Sequence, residues 1–148
     1  MTGPLYALGR DVSEMHDFNS RIINEFRASG GKVGPPFDGA PMVLLTTTGA
    51  RSGAQRTMPL VYLPDGDRIV VFASKAGSPT NPDWYHNLRA NPDVTVEVGA
   101  DTKSMRAVEV TGAERDRLFA EQKRRMPGFA DYEQKTTRVI PVIALVDA

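Results

Sequence analysis

The chain has no cysteine among its 148 residues and only two histidines, His16 and His86. Disulfides, thiolate chemistry and cysteine-ligated metals are thereby excluded, and a histidine metal site has too few ligands to be expected. There is no excess of charge either: 18 basic residues stand against 18 acidic ones. No global field marks a nucleic-acid partner, so any anion binding must rest on local clusters. No apolar run approaches the roughly 18 residues of a membrane span, and the N-terminus lacks a signal-peptide core. The expectation is a cytoplasmic protein whose redox activity, if any, depends on a borrowed cofactor.

A chain of this length supports one sizeable core, and a single domain over 1–148 is predicted. Its first 40 residues read as a helix and a glycine-rich approach, and 41–148 as a barrel. Val12, Met15, Phe18, Ile22, Ile23 and Phe26 recur at helical spacing over residues 11–28, which makes one amphipathic helix. Covering a sheet and lying on a membrane or a partner are both open to it. Gly30, Gly31 and Gly34 end it, Pro35, Pro36 and Gly39 stiffen the approach to the first strand, and Lys32 is expected to face water.

Strands are predicted over 42–48, 56–63, 68–73, 94–98, 103–110 and 139–146, from alternating or continuous apolar residues rich in Val, Ile and Thr. Pro141 implies an edge or irregular position in the last. The turn 64–67, Pro-Asp-Gly-Asp, folds the second strand back onto the third. A charged helix over 113–125 has Leu118 and Phe119 as its few apolar contacts, and a short segment with Phe129 and Tyr132 follows. Six strands in antiparallel hairpins, with helices inserted after the third and the fifth, predict a mainly β, α+β fold closed as a small barrel.

Two stretches carry candidate chemistry. Residues 74–91 join the buried third strand to a short helix. Ser74 and Lys75 stand at the strand end, and Asn81 is placed to cap a helix starting at Pro82. A hydroxyl, an ammonium and free helix amides together suit an anion, a phosphate above all. The same corner reads equally as an ordinary connection with a surface lysine. Between the first two strands, Gly49 and Gly53 frame a turn that brings Arg51 and Arg56 to one end of the hairpin. Their forked donors suit phosphate or carboxylate groups, or merely keep a strand edge soluble. Trp84 and Leu88 share a helix face, where the indole is a core anchor or the wall of a pocket.

Taken together, residues 45–53 (Leu-Thr-Thr-Thr-Gly-Ala-Arg-Ser-Gly), Arg56, Pro59, Leu60, Ser74-Lys75-Ala76-Gly77, Asn81-Pro82, Trp84-Tyr85-His86-Asn87-Leu88, Ala90-Asn91-Pro92 and Thr137-Arg138-Val139-Ile140-Pro141 closely resemble the deazaflavin-dependent nitroreductase family. The resemblance keeps order and spacing over about 45–98 and is loose over the first 40 residues. It implies a split β-barrel of the FMN-binding type and the coenzyme F420, a deazaflavin with a phosphate and an oligoglutamate tail. It further implies hydride transfer from the reduced coenzyme to a quinone, a nitroaromatic or another electron-poor acceptor. By motif position, Arg51, Arg56 and Lys75 meet phosphate and tail. Thr57, Met58 and Pro59 run along the ring, with Ser74, Trp84 and Asn87 near it. Tyr132 falls on the acceptor side, and Tyr132 and Ser74 are the catalytic candidates. Met126 and Phe129 occupy positions where some members carry tyrosines, which makes this pocket more apolar and suits a quinone. Two other readings of the same residues are a non-catalytic F420 carrier and an FMN-binding barrel. Peripheral membrane contact through the first helix, where a quinone would reside, is a further expectation; the oligomeric state is not legible.

Overall fold

The computed structural model describes residues 12–34, 37 and 40–148, with side chains from residue 16 onward. Val12 and Met15 of the expected apolar stripe, and Pro35, Pro36 and Gly39, therefore lie outside the described side chains or residues. Helix α1 spans Val12–Ser29. Strands β1 (Met42–Thr48), β2 (Gln55–Val61), β3 (Leu63–Asp65) and β4 (Arg68–Phe72) follow. After a 3₁₀ turn at Lys75–Gly77 come α2 (Asp83–Ala90), β5 (Asp93–Val98) and β6 (Asp101–Val110). Helices α3 (Gly112–Arg125) and α4 (Gly128–Gln134) precede β7 (Val142–Asp147).

All pairings are antiparallel, in the order β2-β1-β5-β6-β7-β4-β3. The two strands at opposite ends of that order, β2 and β3, are separated in sequence by Tyr62 alone. The sheet must therefore curl until its two end strands come together at Tyr62, while β2 and β3 stay unpaired with each other, as in a split barrel. The run expected as one strand over 56–63 is thus divided, giving seven strands among the described residues where six were expected. The Tyr62 amide donates to Pro41 O at 3.1 Å, one step beyond the Met42–Val61 pair. At the other end of the chain, the expected strand over 139–146 begins only at Val142. Val139 is 75% exposed, and Pro141, with no N–H to donate, contributes its carbonyl to Ala73 N at 3.0 Å instead.

Alternation along the strands sorts the core into an inside and two outer layers. Val43 and Leu45, Ile69 and Val71, Val94 and Val96, Met105, and Ile143 and Leu145 fill the barrel interior with Trp84, Tyr85 and Leu88 of α2. Val70, Phe72, Val142 and Ala144 face outward and are covered by Leu118 and Phe119 of α3 and by Phe129 and Tyr132 of α4. Met42 and Leu44 face outward under α1. Strands β1, β4 and β7 are buried on both faces, which is why their sequences read as continuous apolar runs. The short segment with Phe129 and Tyr132 is the helix α4.

Phe18, Ile22 and Phe26 of α1 are buried against β1 and β2, each contributing on the order of 2 kcal/mol by area. Arg27 adds a two-pronged contact to Glu97, at 3.0 and 2.9 Å. The described part of the apolar stripe is thus used within the fold. No described helix is long and apolar enough to cross a membrane.

Candidate functional site

The connection after β4 is conformationally unusual. Ser74 is right-handed (φ −76°, ψ −38°), but Lys75 (φ 46°) and Ala76 (φ 52°) are left-handed, followed by Gly77 (φ 81°). For residues bearing a Cβ, such backbone costs about 1–3 kcal/mol each and persists only where the surroundings impose it. A right-handed residue followed by a left-handed one also turns successive N–H groups to one side, a concavity that binds anions. Among the described residues the Ser74 and Ala76 amides have no protein acceptor. Lys75 Nζ donates to Thr80 Oγ1 at 3.3 Å. Glycine is required at 77, because a Cβ there would lie 2.7 Å from Tyr132 O and from Lys135 Cβ. The turn is seated directly on α4.

Asn81 does not cap α2, contrary to the sequence expectation. The helix begins at Asp83 with Pro82 in the cap position and no side-chain cap. Asn81 Oδ1 instead accepts from Arg138 Nη1 at 2.7 Å. Arg138 also reaches Ser78 O through Nε (2.9 Å), Ala73 O through Nη1 (3.0 Å) and Ser74 O through Nη2 (2.8 Å). Sequence reasoning placed Arg138 in a family motif but gave it no role. Its signal was an arginine directly before the apolar run 139–146.

The second cluster stands at the β1–β2 turn. Arg56 lies opposite Thr47 in the hairpin register, and Arg51 lies in the turn beyond it; both are exposed. Asn87 of α2 holds this turn: its Oδ1 accepts from the Ala50 amide at 3.0 Å and its Nδ2 donates to Thr47 Oγ1 at 3.2 Å. Asn91 Nδ2 donates to Thr48 O at 3.4 Å. Asp83 and Asn87 are one helical turn apart, about 6 Å along the axis. Helix α2 therefore spans between the Lys75 corner at its start and the Arg51 turn beside its middle.

Between these clusters, β2 is an edge strand that pairs only with β1. Pro59 is tolerated there because an edge strand needs no donor on its outer side. Outward backbone groups along Thr57 and Met58 have no strand beside them. Thr57 Oγ1 meets Thr46 Oγ1 at 2.8 Å, and Met58 Sδ accepts from Asn19 Nδ2 at 3.5 Å.

The remaining expected site residues are buried. Trp84 is packed in the barrel interior, 6% exposed. Ser74 is 8% exposed, and its hydroxyl has no protein partner among the described residues. Tyr132 is 3% exposed, its ring 5.1 Å from that of Phe129, and its hydroxyl is buried without a hydrogen-bond partner among the described residues. Burial, and secondarily the Asp131 carboxylate, push its pKa up to about 12. An unsatisfied buried hydroxyl costs about 1–3 kcal/mol, and a ligand oxygen at that spot would recover it.

The arginines differ in their carboxylate partners. Arg27, Arg68, Arg106, Arg115, Arg124 and Arg125 each have a carboxylate partner. Among the described residues, Arg51, Arg56, Arg89 and Arg138 have none, and Arg89 lies over the Tyr85 ring instead, 5.6 Å from its centroid. Cations without carboxylates, amides turned outward and a strand edge with open backbone groups fit a planar, hydrogen-bonding group that carries several negative charges.

Comparison with known proteins agrees with this chemistry. The family model for F420H(2)-dependent quinone reductase matches residues 20–147. An F420H(2)-dependent quinone reductase of Mycobacterium tuberculosis is 40% identical over 124 residues, covering 81% of this chain and 83% of that protein. A solved F420-H2 dependent reductase, FDR-A, superposes with a TM-score of 0.66 at 40% identity, over 71% of this chain and 93% of that one. A second structure, described as a domain-swapped dimer, has a TM-score of 0.68 at 34% identity, over 90% and 97%. The heme storage protein HutZ of Vibrio cholerae, at 15% identity and a TM-score of 0.57, shares the fold alone. The chain belongs to the F420H(2)-dependent quinone reductase family, and it is an oxidoreductase of split-barrel type.

Proposed function

We propose that this chain reduces a quinone, or a comparably electron-poor organic acceptor such as a nitroaromatic, at the expense of reduced F420. The observation that carries the reading is the pair of arginines without carboxylate partners, Arg51 and Arg56, at the open edge of β2. A chain with no net charge keeps cations unneutralised in one place at an electrostatic cost, which a polyanionic ligand offsets. F420, when bound, supplies the hydride.

The protein's part is binding, orientation and proton control. Arg51, Arg56 and Lys75 hold phosphate and tail carboxylates. The outward backbone of Thr57, Met58 and Pro59 receives the ring, with Ser74 beside it. Asn87 fixes the turn that carries Arg51, and Trp84 fixes α2 on the barrel. Tyr132 donates its hydroxyl proton in a hydrogen bond to the acceptor oxygen, where negative charge grows during reduction. With its pKa raised to about 12, this phenol is a donor throughout the neutral range and not a base. Because it is buried, α4 must shift for an acceptor to meet it. Phe129 and Met126 make that side apolar, as a quinone ring requires.

One observation favours a second reading. The burial of Tyr132 suits a non-catalytic carrier that binds F420 and leaves acceptors outside. FMN, with one phosphate and no tail, makes less use of three separated cations than F420 does. Titration of the protein with oxidised F420 and with FMN tests the choice of coenzyme: tighter F420 binding that weakens with added salt supports F420, and preference for FMN overturns it.

A further inference from the structure

We infer that Arg138 is a positioning residue for the anion site, a neutral-bonded clamp that imposes the left-handed Lys75–Ala76 turn and so aims Lys75 and its flanking amides. The inference rests on the F420 reading above and deepens it.

The four hydrogen bonds of the guanidinium, to Ala73 O, Ser74 O, Ser78 O and Asn81 Oδ1, fall on both sides of the two non-glycine residues with positive φ, Lys75 and Ala76. Two acceptors precede the turn and two follow it. The clamp therefore fixes the entry and the exit of a segment that its own residues do not favour. Only a planar fork can reach four acceptors spread in this way, and an ammonium with three donors on a flexible stem cannot reproduce it.

All four acceptors are neutral, and Arg138 forms no salt bridge among the described residues. Arg115 makes the contrast: it too donates to a backbone carbonyl, Ile140 O at 3.2 and 2.9 Å, but it also has Asp116. A carboxylate beside Arg138 would have cancelled the positive field at the corner. Carbonyl oxygens solvate the cation without cancelling its charge. Burial lowers its affinity for its proton, though an arginine remains charged. The clamp is thus built to order the turn while leaving its positive charge available.

The test is a double-mutant cycle on the affinity for oxidised F420, read by fluorescence titration. Arg138→Gln and Lys75→Ala are each expected to weaken binding tenfold or more. The double variant is expected to be no more than about threefold weaker than Lys75→Ala, because an unaimed Lys75 and an absent Lys75 are nearly equivalent. Arg138→Lys is expected to bind as poorly as Arg138→Gln, since the fork and not the charge aims the turn. In hydrogen exchange, the amides of Gly77 and Ser78, which close the turn onto Ser74 O and Lys75 O, should lose protection in both Arg138 variants while those of β5 keep it. Effects that multiply in the double variant would overturn the inference, as would wild-type affinity in Arg138→Lys or unchanged exchange at the turn. Failure of the wild-type protein to bind F420 would instead overturn the functional reading, which separates the two.

Discussion

The side-chain amide of Asn87 bridges two elements: its Oδ1 accepts from the backbone amide of Ala50 at 3.0 Å, and its Nδ2 donates to Thr47 at 3.2 Å. Both ends of the amide are engaged by the protein, so Asn87 acts on a ligand through the turn that carries Arg51. Asn87→Ala should weaken F420 binding about tenfold, equivalent to about 1.4 kcal/mol. Turnover at saturating coenzyme should change less than twofold. Parallel titration and steady-state kinetics separate the two effects, and a loss of kcat with unchanged affinity would move Asn87 to the reacting centre.

Lys75→Ala should lower F420 affinity about 10- to 150-fold, the range of about 1.5–3 kcal/mol for a hydrogen bond to a charged group. Affinity of the wild type should fall as salt is raised, and the variant should show a shallower dependence. Equal salt dependence in both would remove Lys75 from the ion contacts.

Tyr132→Phe removes a buried hydroxyl that has no partner among the described residues. It should leave thermal stability unchanged or raise it by up to about 1 kcal/mol, leave F420 affinity intact and slow turnover. A variant that turns over at the wild-type rate would exclude the phenol from the mechanism.

The pH behaviour of the same group has a definite sign. Its folded-state pKa, about 12, lies above the ordinary 10.0. The stability linked to it is present in full below pH 10 and is lost as the pH rises through 10 to 12. Between pH 6 and 9 the phenol stays protonated, so turnover should show no tyrosine limb there. An inflection near neutrality that disappears in Tyr132→Phe would contradict the assigned protonation.

Gly77→Ala places a Cβ 2.7 Å from Tyr132 O at a φ of +81°. Neither backbone can yield easily, so the loss should exceed about 2 kcal/mol by denaturant unfolding.

Much of this was legible in local pattern. The stripe of Phe18, Ile22 and Phe26 foretold α1, alternation and turns gave the antiparallel strands, and the glycine and arginine spacing over 49–56 marked the hairpin turn. What escaped was set by contacts distant in sequence. Asn81 followed by Pro82 is a sound capping signature, but an arginine 57 residues later takes its oxygen and leaves α2 uncapped. Tyr62 sits inside a run with ordinary strand composition, and only closure of the sheet makes it a break. Phe129 and Tyr132 gave too short an apolar pattern to announce α4, whose place is fixed by packing on Phe72 and on the turn at Gly77.

The most direct measurement is a titration with F420 and FMN side by side, followed by addition of menadione to the complex with reduced F420. The account predicts preferential F420 binding and oxidation of the reduced coenzyme that depends on the quinone. Binding without oxidation by any acceptor, or no binding at all, would contradict it.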